Sequence, residues 1–135
     1  MPPQYLVQRI QDDLLHQRLW LPTIYRRILS RKADFVWKKI APFVNKNHIL
    51  DVGVGSGAIS YLLKQKQFDV TGVDIKNLNI YDGVTPVLYD GTRLPFGDNT
   101  FDSALCIHML HHCKDGLAVL KEAKRVAKRV IVIED

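Results

Sequence analysis

A chain of 135 residues, 47% hydrophobic and 24% charged, has the length and composition of one ordinary globular domain, with enough apolar side chains for a core. No apolar run approaches the roughly 20 residues that span a bilayer, and the opening stretch MPPQYLVQRIQDD lacks the apolar centre of a secretory signal. Two cysteines, Cys106 and Cys113, are too few for a disulfide scaffold, so the expectation is a cytoplasmic protein with reduced thiols.

The net charge of +5 is uneven: residues 1–50 carry nine basic groups against Asp12, Asp13 and Asp34. That excess would attract RNA or a membrane surface. No aromatic residues interleave with a tight cationic cluster, as a strand-binding groove requires, so nucleic acid is not favoured and solvated helix faces are the plainer reading.

In chain order, Leu6, Ile10, Leu14 and Leu15 recur at helical spacing, and Pro22 ends that pattern. A second helix is expected from about Thr23 to Ala41, with Ile24, Ile28, Phe35, Val36 and Ile40 as apolar positions, followed by a polar turn at Asn45–Asn47. The period then changes. His48–Val52 is a short apolar run leading into a glycine-rich loop, as a buried parallel strand does. A short helix follows, with Ile59, Leu62 and Leu63 on its apolar side. Further strands are expected at Phe68–Asp74, Val84–Asp90, Phe101–His108 and Val130–Ile133, with a helix before the last. That helix would bury Leu117, Leu120, Ala123 and Ala127 and turn Lys121, Lys124, Arg125 and Lys128 to solvent.

Alternating strands and helices imply a doubly wound α/β fold, a Rossmann-like parallel sheet of order 3-2-1-4-5. Residues 1–44 form an N-terminal helical region of two helices, and residues 48–135 form the α/β core of the same domain. Pro86 lacks a ladder donor, which puts the third strand at a sheet edge. A ligand is expected beyond the carboxyl ends of strands one and four, where the winding reverses.

The strongest motif is the run from Ile49 to Gly57, ILDVGVGSG. Glycines permit the tight turn and let backbone approach a ligand. Asp74, 21 residues after Gly53, closes the second strand, where a carboxylate can accept from ribose hydroxyls. Gly53, Gly55 and Ala58 also satisfy a dinucleotide fingerprint, so the glycines alone leave NAD and S-adenosylmethionine both open. Asp51 separates them: a carboxylate there repels a pyrophosphate and attracts an ammonium and a sulfonium, favouring S-adenosylmethionine.

The stretches LDVGVGSG, VTGVDI, YDGTRLPFGDNTFD, LCIHMLHHCKD and RVAKRVIVIED stand in the order seen in class I S-adenosylmethionine-dependent methyltransferases, which residues 36–135 resemble. The likeness is to a branch acting mostly on small molecules, quinones or lipids. It implies that Asp51 lies near the methionine end of the cofactor and that Gly53, Gly55 and Gly57 pass beneath its amino-acid and ribose parts. Asp74 would hold the ribose hydroxyls, with Ile75 on one adenine face. Asp90 would accept from the adenine amine beside the Gly91 backbone, and His108 would bring backbone to the methionine portion. The Asn/Asp-Pro-Pro-Tyr/Phe motif that goes with exocyclic base amines is missing after the fourth strand, which argues against that substrate class. Asp102 reads as a structural carboxylate accepting backbone N–H groups, and Asn79, Tyr81 and Asp82 as plain loop.

His108, His111, His112 and Cys113 fall close together, but three of them are consecutive and cannot converge on one ion, so no metal site is expected. His108 or His111 could act as a base where the acceptor must lose a proton. The resemblance implies seven strands, whereas this chain carries five. The expectation is a sheet lacking strands six and seven, and three explanations of the bare fifth-strand edge stay open: a natural truncation, a second copy or partner chain covering the edge, or a fragment of a longer protein. The readings carried forward are a small-molecule methyltransferase, a cofactor-binding module without catalysis, an NAD-dependent oxidoreductase and an RNA methyltransferase.

Overall fold

The computed structural model describes residues 22–44 and 48–134; the expected helix over residues 4–20 and the turn at Asn45–Asn47 lie outside the described residues. Helix α1 spans Pro22–Ile40 and passes into a 3-10 turn at Ala41–Phe43, where Pro42 can no longer donate to a helical ladder. Strand β1 (His48–Val52), helix α2 (Ala58–Gln65) and strand β2 (Asp69–Asp74) follow. Strand β3 (Val87–Leu88), strand β4 (Phe101–Ile107), a 3-10 turn (Leu110–His112), helix α3 (Gly116–Val126) and strand β5 (Ala127–Ile133) complete the order.

The five strands are parallel in the order β3-β2-β1-β4-β5, as the alternating pattern predicted. Side chains alternate across each strand, and the two faces build two cores. Leu50, Val52, Val73, Ala104 and Cys106 face α3, meeting Val119, Ala123 and Val126. Ile49, Val70, Leu105 and Ile107 face the other way, meeting Val36 and Ile40 of α1 and Leu63 of α2.

β3 is far shorter than the expected Val84–Asp90. It lies at the sheet edge, where Pro86 costs no ladder bond, but its flanks are drawn into turns. The Val84 amide bonds the Tyr81 carbonyl, and the Asp90 carboxylate folds back on Thr92 and Arg93. The buried face of α3 also differs from expectation. Val119, Ala123 and Val126 are buried while Leu117 is 63% exposed, and Ala127 already belongs to β5, paired with Phe101. Asp115 caps α3 by accepting from the Ala118 amide at 3.0 Å. Among the described residues no helix is long and apolar enough to cross a membrane.

Arg125 departs from its expected place on the solvated face of α3. Its guanidinium reaches over the loop before β4 and donates to the carbonyls of Leu94 (3.0 Å) and Phe96 (2.8 Å) and to the carboxylates of Asp98 (3.0 Å) and Glu122 (2.8 and 2.9 Å). Glu122 accepts in turn from the Leu94 amide at 2.9 Å, and the hydrogen bonds from Arg125 hold its carboxyl down to about 2. The segment from Leu94 to Asp98 is thereby tied to α3, with Leu94 sealed into the core at 1% exposure. Asp102 meets its structural expectation, accepting from the His48 amide at 3.2 Å.

Arg125→Ala should cost about 3 kcal/mol of unfolding free energy, because it strands the carbonyls of Leu94 and Phe96 and the Glu122 carboxylate. Arg125→Lys should recover less than half, lacking the fork that serves four acceptors. Urea unfolding curves of the two variants check both expectations.

Candidate functional site

The carboxyl ends of β1, β2 and β4 converge on the turn between β1 and α2. Gly53, Gly55 and Gly57 all adopt positive φ (79°, 54° and 88°). At Gly53 and Gly57 space forbids a side chain as well. A Cβ at Gly53 would stand 3.0 Å from Cβ of Met109, and one at Gly57 would press into the Asn79 side chain and lie 3.3 Å from Val84. Nothing lies within 4 Å of a Cβ built at Gly55, so the apex of the turn opens onto free space.

Asp74, at the end of β2, reaches across to this apex. One carboxylate oxygen accepts from the Gly55 amide at 2.8 Å and the other from its neighbour Ile75 at 2.7 Å. Each oxygen keeps acceptor capacity for a further donor. Ile75 is 57% exposed and stands beside Gly91, whose built Cβ would lie 3.4 Å from it. Asp90 accepts through one oxygen from the Thr92 amide (2.8 Å), the Thr92 hydroxyl (2.7 Å) and the Arg93 amide (3.2 Å). These bonds, led by the Thr92 amide, hold its carboxyl below the usual range and leave its other oxygen outside the turn. Asp74, Ile75, Asp90 and Gly91 thus follow one another along the rim of β2 and β3.

Asp51 is enclosed, at 2% exposure, where the sequence suggested a residue at the mouth. It lies beneath the turn, on the sheet face covered by α2, and its carboxylate accepts from the Ser60 hydroxyl at 2.6 Å. This bond joins β1 to the first turn of α2, whose cap Gly57 has no side chain to offer. Burial pushes the Asp51 carboxyl up to about 6, against the lowering effect of the Ser60 bond.

His108 follows β4 with φ 49° and donates its amide to the Ile133 carbonyl at 2.7 Å. Beyond it lies a group the sequence reading missed. Glu134, just past β5, accepts the amides of Met109 (2.9 Å) and Leu110 (2.8 Å) through one oxygen and meets Nδ1 of His111 at 2.6 Å through the other. Burial works upward on its carboxyl, but the bonds from His111, Leu110 and Met109 outweigh it and hold it below the usual range. An acid at a strand end is the signal that marked Asp51 and Asp74, and Glu134 carries it too. Asn79 also proves to be more than plain loop. Its side chain bonds Tyr81 and Val84 while the Ile80 amide bonds the Ser56 carbonyl, fastening this loop beneath Gly57. Tyr81 is buried, stacked on Tyr61.

The thiols face inward. Burial, and secondarily Asp51, pushes the Cys106 thiol up to about 12, and burial also raises that of Cys113. Both thiols are thereby held toward their neutral form. Among the described residues no three His, Cys, Asp or Glu side chains gather as metal ligands would.

A family model described as a methyltransferase domain matches residues 50–130. A demethylmenaquinone methyltransferase of Thermotoga maritima is 32% identical over 119 residues, covering 78% of this chain and 52% of that protein. A ubiquinone biosynthesis O-methyltransferase of Rickettsia felis is 27% identical over 104 residues, covering 68% and 43%. The chain spans about half the length of the curated relatives it matches. Among solved structures, a SAM-dependent methyltransferase of Thermotoga maritima superposes with a TM-score of 0.62 at 24% identity, over 83% of this chain and 57% of that one, a likeness of fold.

The buried Asp51 gives a pH signature. The folded protein keeps its proton up to about pH 6, whereas the unfolded chain releases it near the ordinary 3.8. Folding takes up a proton between these values, so stability rises as pH falls through that window and the cost of the buried charge is complete above it. Relative to Asp51→Asn, the wild type should gain up to about 3 kcal/mol between pH 7 and pH 4. Paired urea titrations across that range measure the difference.

Proposed function

This chain belongs to the methyltransferase domain family, and we propose that it holds S-adenosylmethionine at the turn after β1 and passes the methyl group to a small, quinone-type acceptor. The observation that supports this most is the Asp74 carboxylate, fixed at the open apex of the glycine turn with an acceptor site left on each oxygen. The pair of hydroxyls of a ribose matches that arrangement. Gly55 leaves room for the ligand, and the exposed Ile75 with Gly91 offers an apolar flank and bare backbone for a purine. The free oxygen of Asp90 accepts from the purine amine. Asp51 adds a negative charge beneath the turn, which suits an ammonium and a sulfonium and opposes the pyrophosphate of NAD. His108 supplies backbone at the methionine side.

When bound, S-adenosylmethionine supplies a methyl group on a cationic sulfur, open to in-line displacement by a nucleophile. Alignment of the acceptor accounts for much of the rate. Where the acceptor is a phenolic hydroxyl, its proton must leave. Glu134 holds Nδ1 of His111 as the hydrogen-bonded nitrogen, which leaves Nε2 as the acceptor of that proton. A quinone-type acceptor is argued from the named activities of the relatives. In the same reading, a second copy or a partner chain pairs with the outer side of β5, the margin of the sheet among the described residues.

Calorimetric titration with S-adenosylhomocysteine tests the cofactor. Wild type should bind, and Asp74→Ala should bind at least about tenfold more weakly, having lost charged acceptors. Affinity should fall as pH drops through about 6, where the Asp51 charge is lost. No binding, or equal binding by the variant, overturns the reading. With a demethylated hydroquinone as acceptor, His111→Ala should lose about a hundredfold in kcat with little change in cofactor affinity. Cofactor binding with no transfer to any such acceptor would leave a binding module in place of an enzyme.

A further inference from the structure

Helix α1 is amphipathic twice over. Its inner face, with Ala33, Val36 and Ile40, is sealed against the sheet. Its outer face is apolar as well: Ile24, Ile28 and Phe35 are 55%, 49% and 61% exposed. At the helical repeat of roughly 100° per residue these three fall within about 40° of one another, a single stripe along the outside. Cations line both sides of it. Arg27, Arg31 and Lys38 flank one edge, Lys32 and Lys39 the other, and all five are exposed. The helix carries six basic residues against one acid, Asp34. Arg26, the sixth cation, is occupied with the Ile80 carbonyl and the Tyr81 ring. Lys39 lies over the Phe35 ring at 4.4 Å, its stem along the apolar stripe and its ammonium beside it.

We propose that the outer face of α1 docks on an anionic membrane surface, with Ile24, Ile28 and Phe35 entering the headgroup boundary and the flanking lysines and arginines pairing with lipid phosphates. A ridge of apolar side chains between two rows of long cationic ones is the pattern of a helix lying in the interface plane. Charge decides against the other occupants. A second copy would set two cationic faces together. Residues 1–21 carry Asp12 and Asp13 against Arg9 and Arg18, so they bring no net negative charge to the five flanking cations. A nucleic acid would want cations at the centre of the face, where aliphatic Ile24 and Ile28 stand with a single ring, Phe35. This inference stands independently of the methyltransferase reading.

Co-sedimentation of the full chain with vesicles of phosphatidylcholine and phosphatidylglycerol, against phosphatidylcholine alone, tests it. Wild type should partition onto the anionic vesicles at low salt and at least about tenfold less onto neutral ones. The pair Ile28→Ser and Phe35→Ser, and separately the pair Arg31→Glu and Lys38→Glu, should each lower that partitioning about tenfold. Both sit on exposed positions, so the thermal unfolding midpoint should hold and shows that the variants fold. No partitioning by the wild type, equal partitioning onto neutral vesicles, or serine variants that bind like wild type would overturn the proposal. So would a dimer in light scattering that the serine substitutions dissolve.

Discussion

The turn from β1 into α2 must reverse the chain within five residues beneath its neighbours, and only left-handed backbone at Gly53, Gly55 and Gly57 does so. Other loops are built down onto that bare backbone. Met109 rests where a Cβ of Gly53 would be, and Asn79 and Val84 rest against Gly57. Because those contacts come from the loops that follow β4 and β2, the turn sets how near these loops come to each other. It thereby places the Asp74 carboxylate within reach of the Gly55 amide.

Four carboxylates stand at or just beyond strand ends, and their surroundings make them different groups. Asp51 is shut in with one hydroxyl donor and holds its proton to about pH 6. Asp90 is exposed and accepts three bonds from a turn, which favours its charge. Glu134 joins two backbone amides and a histidine, and Asp74 divides its oxygens between two amides while facing open space. The first stabilises the architecture under the turn, the third orients the loop after β4, and the other two remain able to accept from a ligand. The same balance of desolvation against donors accounts for all four.

Much of this was legible in the residues. Apolar runs such as His48–Val52 are long enough only for buried strands, Pro86 requires an edge, and Asp74 stands at the distance a ribose partner needs from the glycines. The misses have a common cause. The apolar spacing of α3 predicted Leu117 on the inside, but packing against the β1 and β4 side chains buries Val119, Ala123 and Val126 and leaves Leu117 exposed. The spacing of Arg125 is that of a solvated helix face, but the loop before β4 folds over it, and Asn79 gains its partners Tyr81 and Val84 only in a closed turn. In each case a local pattern was overridden by a contact from a segment it did not contain.

Periodicity, the glycine spacing and the acids at strand ends, read from the sequence alone, determined the strand order and pointed to a site at the switch between β1 and β4 and to a cationic cofactor in place of a pyrophosphate. These depend on local chemistry and on chain connections that have one favoured hand. Tertiary structure alone decided that Asp51 is enclosed on Ser60, that Glu134 reaches back to His111, that Arg125 clamps the loop before β4, and that the apolar stripe of α1 faces outward. Each of those depends on burial and on distance between segments far apart in the chain, and neither quantity exists until the sheet has brought them together.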